Sequence, residues 1–539
     1  MKTRMTKILT LLFALAALIS SSAQVNDETF PKIVTKNGRH TLLVDGQPFF
    51  ILGGQAHNSS AWPGMLPQLW SAIHTMHANT LEVPLYWEQI EPQQGKFNFS
   101  LIDTLLLQAR QHKVRLVLLW FATWKNGSNH YMPEWMKHES SKYPNIISKN
   151  GKPVDSPSPH VKEMMEADSK AFAAVMKYLK KVDAPHTVIM VQVENEPGAW
   201  GSVRDYSLAA QKLFESPVPA ELIKPEVLKA LNTPVVAEGN WQRVFGNNAD
   251  EYFHAWSVAR YIGQVAAAGK AEYPLPLYVN AALRDPLTNP PATNYESGGP
   301  TDNVLLIWKI AAPTIDLLAP DIYLSKSEEI MKVLELYDRP DNTLFVPEVG
   351  AGLDKPKYLY EVFARTGIGY SPFGVDSNNE ETEKETQERL SPIAAEYAMA
   401  STMMRELAKW SFEGKIKAAI EREDHKEQKI DLGAWQATVT FGTGSRDVSS
   451  EPNPHFTGKA MIVQLEENKF IAIGTNCRIT FQPLGKNAGK AWQYLKAEEG
   501  HYENGTFKLL RILNGDETDW GGPRFGKTPT VVNISLVVR

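Results

Sequence analysis

Cysteine is almost missing from this chain of 539 residues, because Cys477 is the only one. A single thiol excludes an internal disulfide and a thiolate metal cluster. Long apolar runs are also scarce: residues 8–19 form one, which is too short to span a bilayer comfortably. The formal net charge of −5 gives no excess of basic charge for nucleic acid to follow. We therefore expect no nucleic-acid partner.

Motifs of several common enzyme classes are missing as well. No Gly-x-Gly-x-x-Gly follows an early strand, and neither a Gly-x-Ser-x-Gly nucleophile elbow nor a phosphate-binding loop is present. His74 and His77 share a predicted helix, but no third ligand completes a metalloprotease pattern, so we interpret them as surface residues. The sequence therefore implies no metal and no other cofactor.

The N-terminus has the parts of an export signal. Three basic residues within the first seven precede the apolar residues 8–19, and small residues follow at 20–23. This order predicts a signal peptide over residues 1–23 that is cleaved after Ala23. Export without disulfides fits a bacterial periplasmic or secreted protein. We expect no membrane contact after that cleavage.

Short apolar strands alternate with amphipathic helices from residue 49 to residue 410. Eight strands are predicted, at residues 49–52, 80–85, 114–120, 187–193, 276–281, 315–322, 344–347 and 367–371. Eight strand–helix units match a (β/α)8 TIM barrel, whose active site lies at the C-terminal ends of the strands. A doubly wound sheet would also alternate, but eight repeats and the missing Gly-rich turn favour a closed barrel.

The pattern changes after residue 410 to strands that are separated by Gly, Asn and Asp turns. Six strands are predicted, at residues 434–441, 460–465, 469–474, 478–482, 508–513 and 530–537. We expect a catalytic barrel over residues 24–415 with a short N-terminal β-hairpin, followed by a C-terminal β-sandwich domain over 416–539. The charged residues 380–389 are interpreted as a loop, and residues 391–409 as the last barrel helix.

Two apolar strands end in a glutamate, and Pro or Gly lies within the next two residues. Residues 191–198 read VQVENEPG, and residues 345–350 read FVPEVG. A buried parallel strand that delivers a carboxylate into a pocket has this pattern. Glu196 and Glu348 would then meet at one rim of the barrel, and two carboxyl groups are the minimum for cleaving a glycosidic bond. Strand periodicity does not choose between Glu194 and Glu196, because residues two apart share a face.

Three further segments add to these strand ends: residues 53–60 (GGQAHNSS), 87–97 (WEQIEPQQGKF) and 120–127 (WFATWKNG). Together with Asn-Glu after strand four and Glu at the end of strand seven, they resemble the β-galactosidases of glycoside hydrolase family 35 in clan A, with likeness also to family 42. Residues 513–525 are similar to the tail of a bacterial subgroup with a distinctive C-terminal domain.

The resemblance implies a retaining exo-glycoside hydrolase. Such an enzyme releases terminal β-D-galactose from plant or host oligo- or polysaccharides through a covalent glycosyl-enzyme intermediate. The likeness makes Glu196 the acid/base and Glu348 the nucleophile. It also implies that Asn195 hydrogen-bonds the sugar 2-hydroxyl, which leaves Glu194 as a support for the strand end.

Further substrate contacts are predicted near the strand ends. The candidates are His57, Asn58, Trp87, Trp124, Lys125, Asn126 and Tyr323. For Trp87, Trp124 and also Trp200, packing in the core is as good an interpretation as stacking on a sugar. Tyr323 could instead reach Glu348 and tune its carboxylate.

Two departures from the family pattern concern the recognition of galactose. Many family 35 members place a glutamate after strand three, where this chain has ATWKN at residues 122–126. Related bacterial sequences often carry an acidic residue where this chain has Gln55-Ala56. A β-L-arabinopyranosidase, a β-glucosidase, an endo-glycanase and a catalytically dead sugar-binding barrel therefore remain alternatives. The expected partners are an oligo- or polysaccharide and, in a homodimer, a second copy of the chain.

Overall fold

The computed structural model describes residues 28–377, 381–442 and 455–539. The predicted signal peptide at 1–23 lies outside the described residues. Within them, no helix combines the length and the apolar character that crossing a membrane requires.

A closed barrel of eight parallel strands forms the first part of the molecule. Its strands are Ile51–Gln55, Thr80–Tyr86, Arg115–Lys125, Val188–Asn195, Leu277–Ala282, Leu317–Ile322, Val346–Val349 and Gly369–Pro372. They pair in chain order, and the eighth closes on the first where Gly369 and Tyr370 pair with Ile51 and Leu52. The strands are buried almost throughout, as expected when helices cover a parallel sheet. The predicted TIM barrel is confirmed.

Helices connect the strands and cover the outside of the barrel. They are Leu66–Thr75, Trp87–Ile90, Ser100–His112, Glu134–Lys137, Lys162–Val182, Leu208–Phe214, Pro225–Ala230, Trp241–Phe245, Ala249–Glu272, Leu305–Ala311, Ser327–Tyr337, Tyr358–Ala364, Glu383–Ser401 and Met404–Phe412. A small two-stranded sheet, Asn145–Ile147 with Pro153–Pro157, lies in the loop after the third strand.

Two expectations about the last helix were wrong. The charged stretch was interpreted as a loop up to residue 389, but a helix begins at Glu383. Thr382 and Glu385 form a capping box there, which satisfies backbone N–H groups at the helix start. The helix predicted over 391–409 is two helices, because the chain leaves helical geometry at Met403.

Three antiparallel strands precede the barrel, where the sequence predicts a hairpin. They are Lys32–Lys36, Arg39–Val44 and Gln47–Phe49. The Arg405 guanidinium donates to the carbonyl oxygens of Val44, Gln47 and Pro48, and so ties this sheet to the last helix.

Two antiparallel sheets form the C-terminal part. The six-stranded sheet contains, in spatial order, Ile416–Ile420, Lys459–Glu466, Lys469–Thr475, Thr530–Val538, Trp492–Glu503 and Thr506–Ile512. The four-stranded sheet contains Gln428–Asp431, Trp435–Phe441, Cys477–Pro483 and Arg524–Phe525. Apolar side chains of both sheets share one core, while the other face of the larger sheet contributes Met461, Val463 and Ile471 to the barrel core. The predicted β-sandwich packed on the barrel is confirmed.

Candidate active site

Three carboxyl groups meet at the C-terminal end of the barrel. Glu196 follows the fourth strand, Asp321 lies in the sixth and Glu348 in the seventh. One oxygen from each lies within 4.8 Å of the other two, and all three residues are buried. The structure thus brings the two predicted glutamates together and adds an aspartate. Asp321 lies directly beside Glu348 in the neighbouring parallel strand. The sequence feature that could have predicted this residue is a third apolar strand that ends in an acidic residue.

The backbone at the end of the fourth strand is unusual. Glu194 and Glu196 have φ values of 63° and 41°, in the left-handed region that L-residues with a Cβ avoid. Such a residue costs about 1–3 kcal/mol and persists where its surroundings fix it. The Glu196 N–H donates to Asn280 Oδ1 at 2.9 Å, and the Glu196 carbonyl accepts from the Gly127 N–H at 3.0 Å. These bonds fix the turn that carries Glu196.

Glu194 points away from this cluster into the barrel wall. Its Oε2 accepts from the Trp124 N–H at 2.7 Å. Burial, followed by the adjacent charge of Asp168, raises the pKa of Glu194 well above its ordinary value. Glu194 therefore lies beneath the cluster, hydrogen-bonded to the backbone of the third strand.

Side-chain amides hold each carboxyl group of the cluster. Asn126 Nδ2 donates to Glu196 Oε2, while Lys125 Nζ donates to Asn126 Oδ1. Gln55 Nε2 donates to Glu348 Oε1 at 3.2 Å. The strand-five residue Asn280 donates to Asp321 Oδ2 at 2.6 Å. Each carboxyl group therefore has a fixed orientation before any substrate enters.

Burial and mutual repulsion control the ionisation of the cluster. Burial, followed by the charge of Glu196, raises the pKa of Glu348 to about 7, while Lys125 and hydrogen bonds from Asp321 and Tyr323 oppose that rise. Burial and the charges of both glutamates raise the pKa of Asp321 well above its ordinary value. Glu348 and Asp321 therefore hold their protons more tightly than isolated carboxyl groups do.

Among the described residues, these three carboxyl oxygens form the only group of acidic, histidine or cysteine ligands close enough together to hold a hard cation. N–H donors from Asn126 and Gln55 already point at two of these carboxyl groups. These donors orient the two carboxyl groups.

Other predicted contact residues lie around the cluster. Asn195 is buried, and its amide nitrogen and oxygen both lack a hydrogen-bond partner among the described residues. The His57 Nδ1 lies 3.1 Å from Asp376 Oδ1. The carbonyl of Asn58 accepts from the Tyr86 hydroxyl at 2.7 Å.

Tyr323 lies at the open end of the barrel, after the sixth strand. It is 54% exposed and packs edge-on against Phe373. Its hydroxyl interacts with Glu348 and lowers the pKa of that carboxyl group. This placement allows both interpretations from the sequence, a contact to the sugar and the tuning of Glu348.

The predicted tryptophans divide into two groups. Trp87 and Trp124 are fully buried: the Trp87 indole donates to Glu91 at 2.9 Å, and Trp124 packs edge-on against Tyr261. Their burial favours the interpretation that they pack in the core over stacking on a sugar. Trp200, which is 52% exposed, keeps a free surface.

Two residues of this end of the barrel were missed. Glu296, from the irregular loop after the fifth strand, is buried, and a side chain at Gly127 would overlap its carboxylate. Burial, followed by the charge of Glu196, raises the pKa of Glu296 well above its ordinary value. Trp62, which is half exposed, stacks on Tyr86. Neither residue belongs to a periodic sequence pattern from which its position at the barrel mouth could be predicted.

Two family models match the chain. Residues 65–264 match the glycoside hydrolase family 42 model described as Beta-galactosidase. Residues 393–522 match a domain of unknown function, DUF5597.

Curated relatives match over part of their length. Beta-galactosidase 14 of Arabidopsis thaliana is 27% identical over 207 residues, which is 37% of this chain and 22% of the relative. The Beta-galactosidase of Xanthomonas manihotis is 26% identical over 206 residues, covering 37% of this chain and 32% of the relative. The chain thus matches less than a third of the length of these two relatives.

Among solved structures, the β-galactosidase from the psychrophilic Marinomonas ef1 aligns with a TM-score of 0.47 and 13% identity, over 66% of this chain and 61% of that one. The sequence matches confirm the resemblance to the clan A β-galactosidases of families 35 and 42. Residues 65–264 are thus similar to the glycoside hydrolase family 42 model, and parts of the chain are similar to the named β-galactosidases.

Proposed function

We propose that this protein is a retaining exo-β-galactosidase that removes terminal β-D-galactose from oligo- or polysaccharides. The observation that carries the proposal is the approach of Glu196 and Glu348 oxygens to within 4.8 Å. Retaining enzymes place their two carboxyl groups about 5–5.5 Å apart, whereas inverting enzymes need about 6.5–9.5 Å to admit a water molecule. The close pair favours direct attack by a carboxylate.

In the first step, Glu348 attacks the anomeric carbon while Glu196 gives its proton to the leaving glycosidic oxygen. The charge of Lys125 favours the ionised form of Glu348 that this attack needs. In the second step, Glu196 takes a proton from water, and the water displaces Glu348 from the sugar. Two displacements at one carbon retain the configuration.

The unsatisfied amide of Asn195 supports its proposed contact to the sugar 2-hydroxyl. A buried polar group without a partner costs free energy, and a bound hydroxyl would satisfy it. We place His57, Asn58, Lys125 and Tyr323 around the remaining hydroxyls. Asn126 acts by orienting Glu196.

The proposal extends to the whole chain. Residues 24–415 would act as the catalytic unit and 416–539 as a separate β-domain. The predicted signal peptide over 1–23 would direct the enzyme to the periplasm or out of the cell.

A panel of nitrophenyl glycosides tests this function. The β-D-galactoside should give the highest kcat/KM, ahead of the β-D-glucoside and the β-L-arabinopyranoside. A preference for one of the other sugars would show a different clan A specificity. Measurable sugar affinity with no turnover of any substrate would show a sugar-binding barrel without catalysis.

A further inference from the structure

A cavity of about 570 Å³ opens in the C-terminal sandwich, away from the barrel strands. It is lined by Glu499, Arg511, Leu513, Asp516, Glu517, Trp520 and Arg524. Its volume falls within the range of about 300–1,000 Å³ that is usual for small-molecule sites. We call these seven residues the sandwich cleft. None of them takes part in the proposed hydrolysis.

Trp520 is presented to this cleft on a rigid loop. The ring is 69% exposed, and its indole nitrogen donates to Asp516 Oδ1 at 3.2 Å. Gly521 and Gly522 follow with φ values of 88° and 82°, and a Cβ at Gly522 would overlap the Ile479 carbonyl. The loop is therefore pressed against the neighbouring strand, and the ring face stays free. A fixed, exposed indole is a stacking surface for the apolar face of a sugar ring.

The charged groups of the cleft are unequally paired. Arg511 engages Glu499 at 2.8 Å and Glu517 at 3.5 Å. Arg524 forms no ion pair with any described residue, and it lies directly opposite Arg478 in an antiparallel strand pair. The Nε of Arg478 is buried and has no hydrogen-bond partner among the described residues. Like charges at opposed positions destabilise a sheet, and an anion between them would relieve that repulsion.

We propose that the sandwich cleft binds an acidic glycan segment. One pyranose ring stacks on Trp520, and the carboxylate of a uronic acid residue pairs with Arg524 beside Arg478. Guanidinium groups bind carboxylates through paired, charge-assisted hydrogen bonds. Such a site would hold the enzyme on acidic polysaccharide while the barrel acts elsewhere. It does not depend on the proposed galactosidase activity.

Calorimetric titration of the full chain tests the site, in a Glu348→Gln background that prevents turnover. The probes are a short oligomer of galacturonic acid and a neutral galactose oligomer of equal length. The acidic oligomer should bind, and Trp520→Ala and Arg524→Gln should each weaken that binding by about tenfold. Added salt should weaken binding less in Arg524→Gln than in its parent.

Arg243→Gln, which removes an exposed arginine outside the cleft, is the matched control and should bind like its parent. Quenching of indole fluorescence by the acidic oligomer should disappear in Trp520→Ala, and unchanged thermal unfolding would show that this variant is folded. Equal binding of the neutral oligomer would overturn the proposal, as would the absence of binding. Loss of binding in Trp62→Ala but not in Trp520→Ala would place the ligand at the barrel mouth and also overturn it.

Discussion

The barrel mouth and the C-terminal sandwich use left-handed backbone differently. Among the described residues of the C-terminal part, the positive φ values of non-glycine residues fall between strands, at His425, Phe456, Asn476 and Asn504, and asparagine tolerates that conformation. At the barrel mouth the same conformation falls on Glu194 and Glu196, which have no such tolerance. Sequences usually break local rules at functional sites, where strain positions a group. The strained turn therefore marks the end of the fourth strand as a site.

The two regions also differ in what they bury. Apolar residues dominate the sandwich core, and burial raises the pKa of its thiol, Cys477, so that the group stays neutral. The barrel instead buries carboxyl groups at its mouth and below it. Burial raises the pKa of Glu82 to about 8 and that of Glu348 to about 7. Both of these carboxyl groups with a raised pKa belong to the barrel.

The largest expected effect is the loss of the nucleophile. Glu348→Gln keeps the size of the side chain but cannot attack the anomeric carbon, so turnover should fall by several orders of magnitude while the fold stays intact. Steady-state kinetics with a nitrophenyl galactoside measures this. Glu88→Gln removes a half-exposed glutamate from the same end of the barrel and should leave the rate near normal. A near-normal rate in Glu348→Gln together with a large loss in Glu88→Gln would show that the nucleophile does not lie on strand seven.

A smaller loss should follow from Asn195→Ala. Removing a hydrogen bond that strengthens in the transition state should lower kcat by about 10²-fold. With a 2-deoxygalactoside, which lacks the partner hydroxyl, the same substitution should have little effect. An equal loss on both substrates would assign Asn195 a structural role instead.

Asp321 should tune the pH dependence of the reaction. Glu348 must be ionised to attack, and a hydrogen bond from Asp321 lowers the pKa of Glu348. Asp321→Ala should therefore raise that pKa and move the acidic limb of kcat/KM to higher pH. Asp321→Asn keeps a donor and should leave the limb near that of the parent enzyme. If the acidic limb of kcat/KM lay at the same pH in the parent and both variants, Asp321 would have no effect on the pKa of the nucleophile.

The smallest effect concerns stability. Glu82 is buried with a pKa of about 8, far above that of an unfolded glutamate, so the folded state holds its proton more tightly. Stability should therefore fall as the pH rises from the unfolded pKa to about 8. Glu82→Gln has no proton to lose and should raise Tm at alkaline pH by about 2–4 °C relative to the parent. Glu466→Gln, an exposed change in the sandwich, should leave the pH dependence of Tm unaltered.

The two strand ends that carry the proposed catalytic glutamates were predictable because each ends a short apolar strand, a pattern that is local in sequence. The choice of Glu196 over Glu194 came from the family resemblance. Asp321 carries the same local signal at the end of strand six. The sequence left open whether Trp87 and Trp124 are buried or stack on a sugar, since their burial depends on helices and loops that pack over them from distant parts of the chain. The sandwich strand Trp492–Glu503 was missed because charged and exposed residues interrupt its alternation.

Azide rescue tests the central assignment most directly, because it reports the role of each glutamate through the stereochemistry of the product. In Glu196→Ala, activated aryl galactosides should still form the intermediate on Glu348, and azide should release it as the β-galactosyl azide. In Glu348→Ala, azide should attack once from the opposite face and give the α-azide. If Glu196→Ala gave the α-azide, the two glutamates would have exchanged roles and the account would be contradicted.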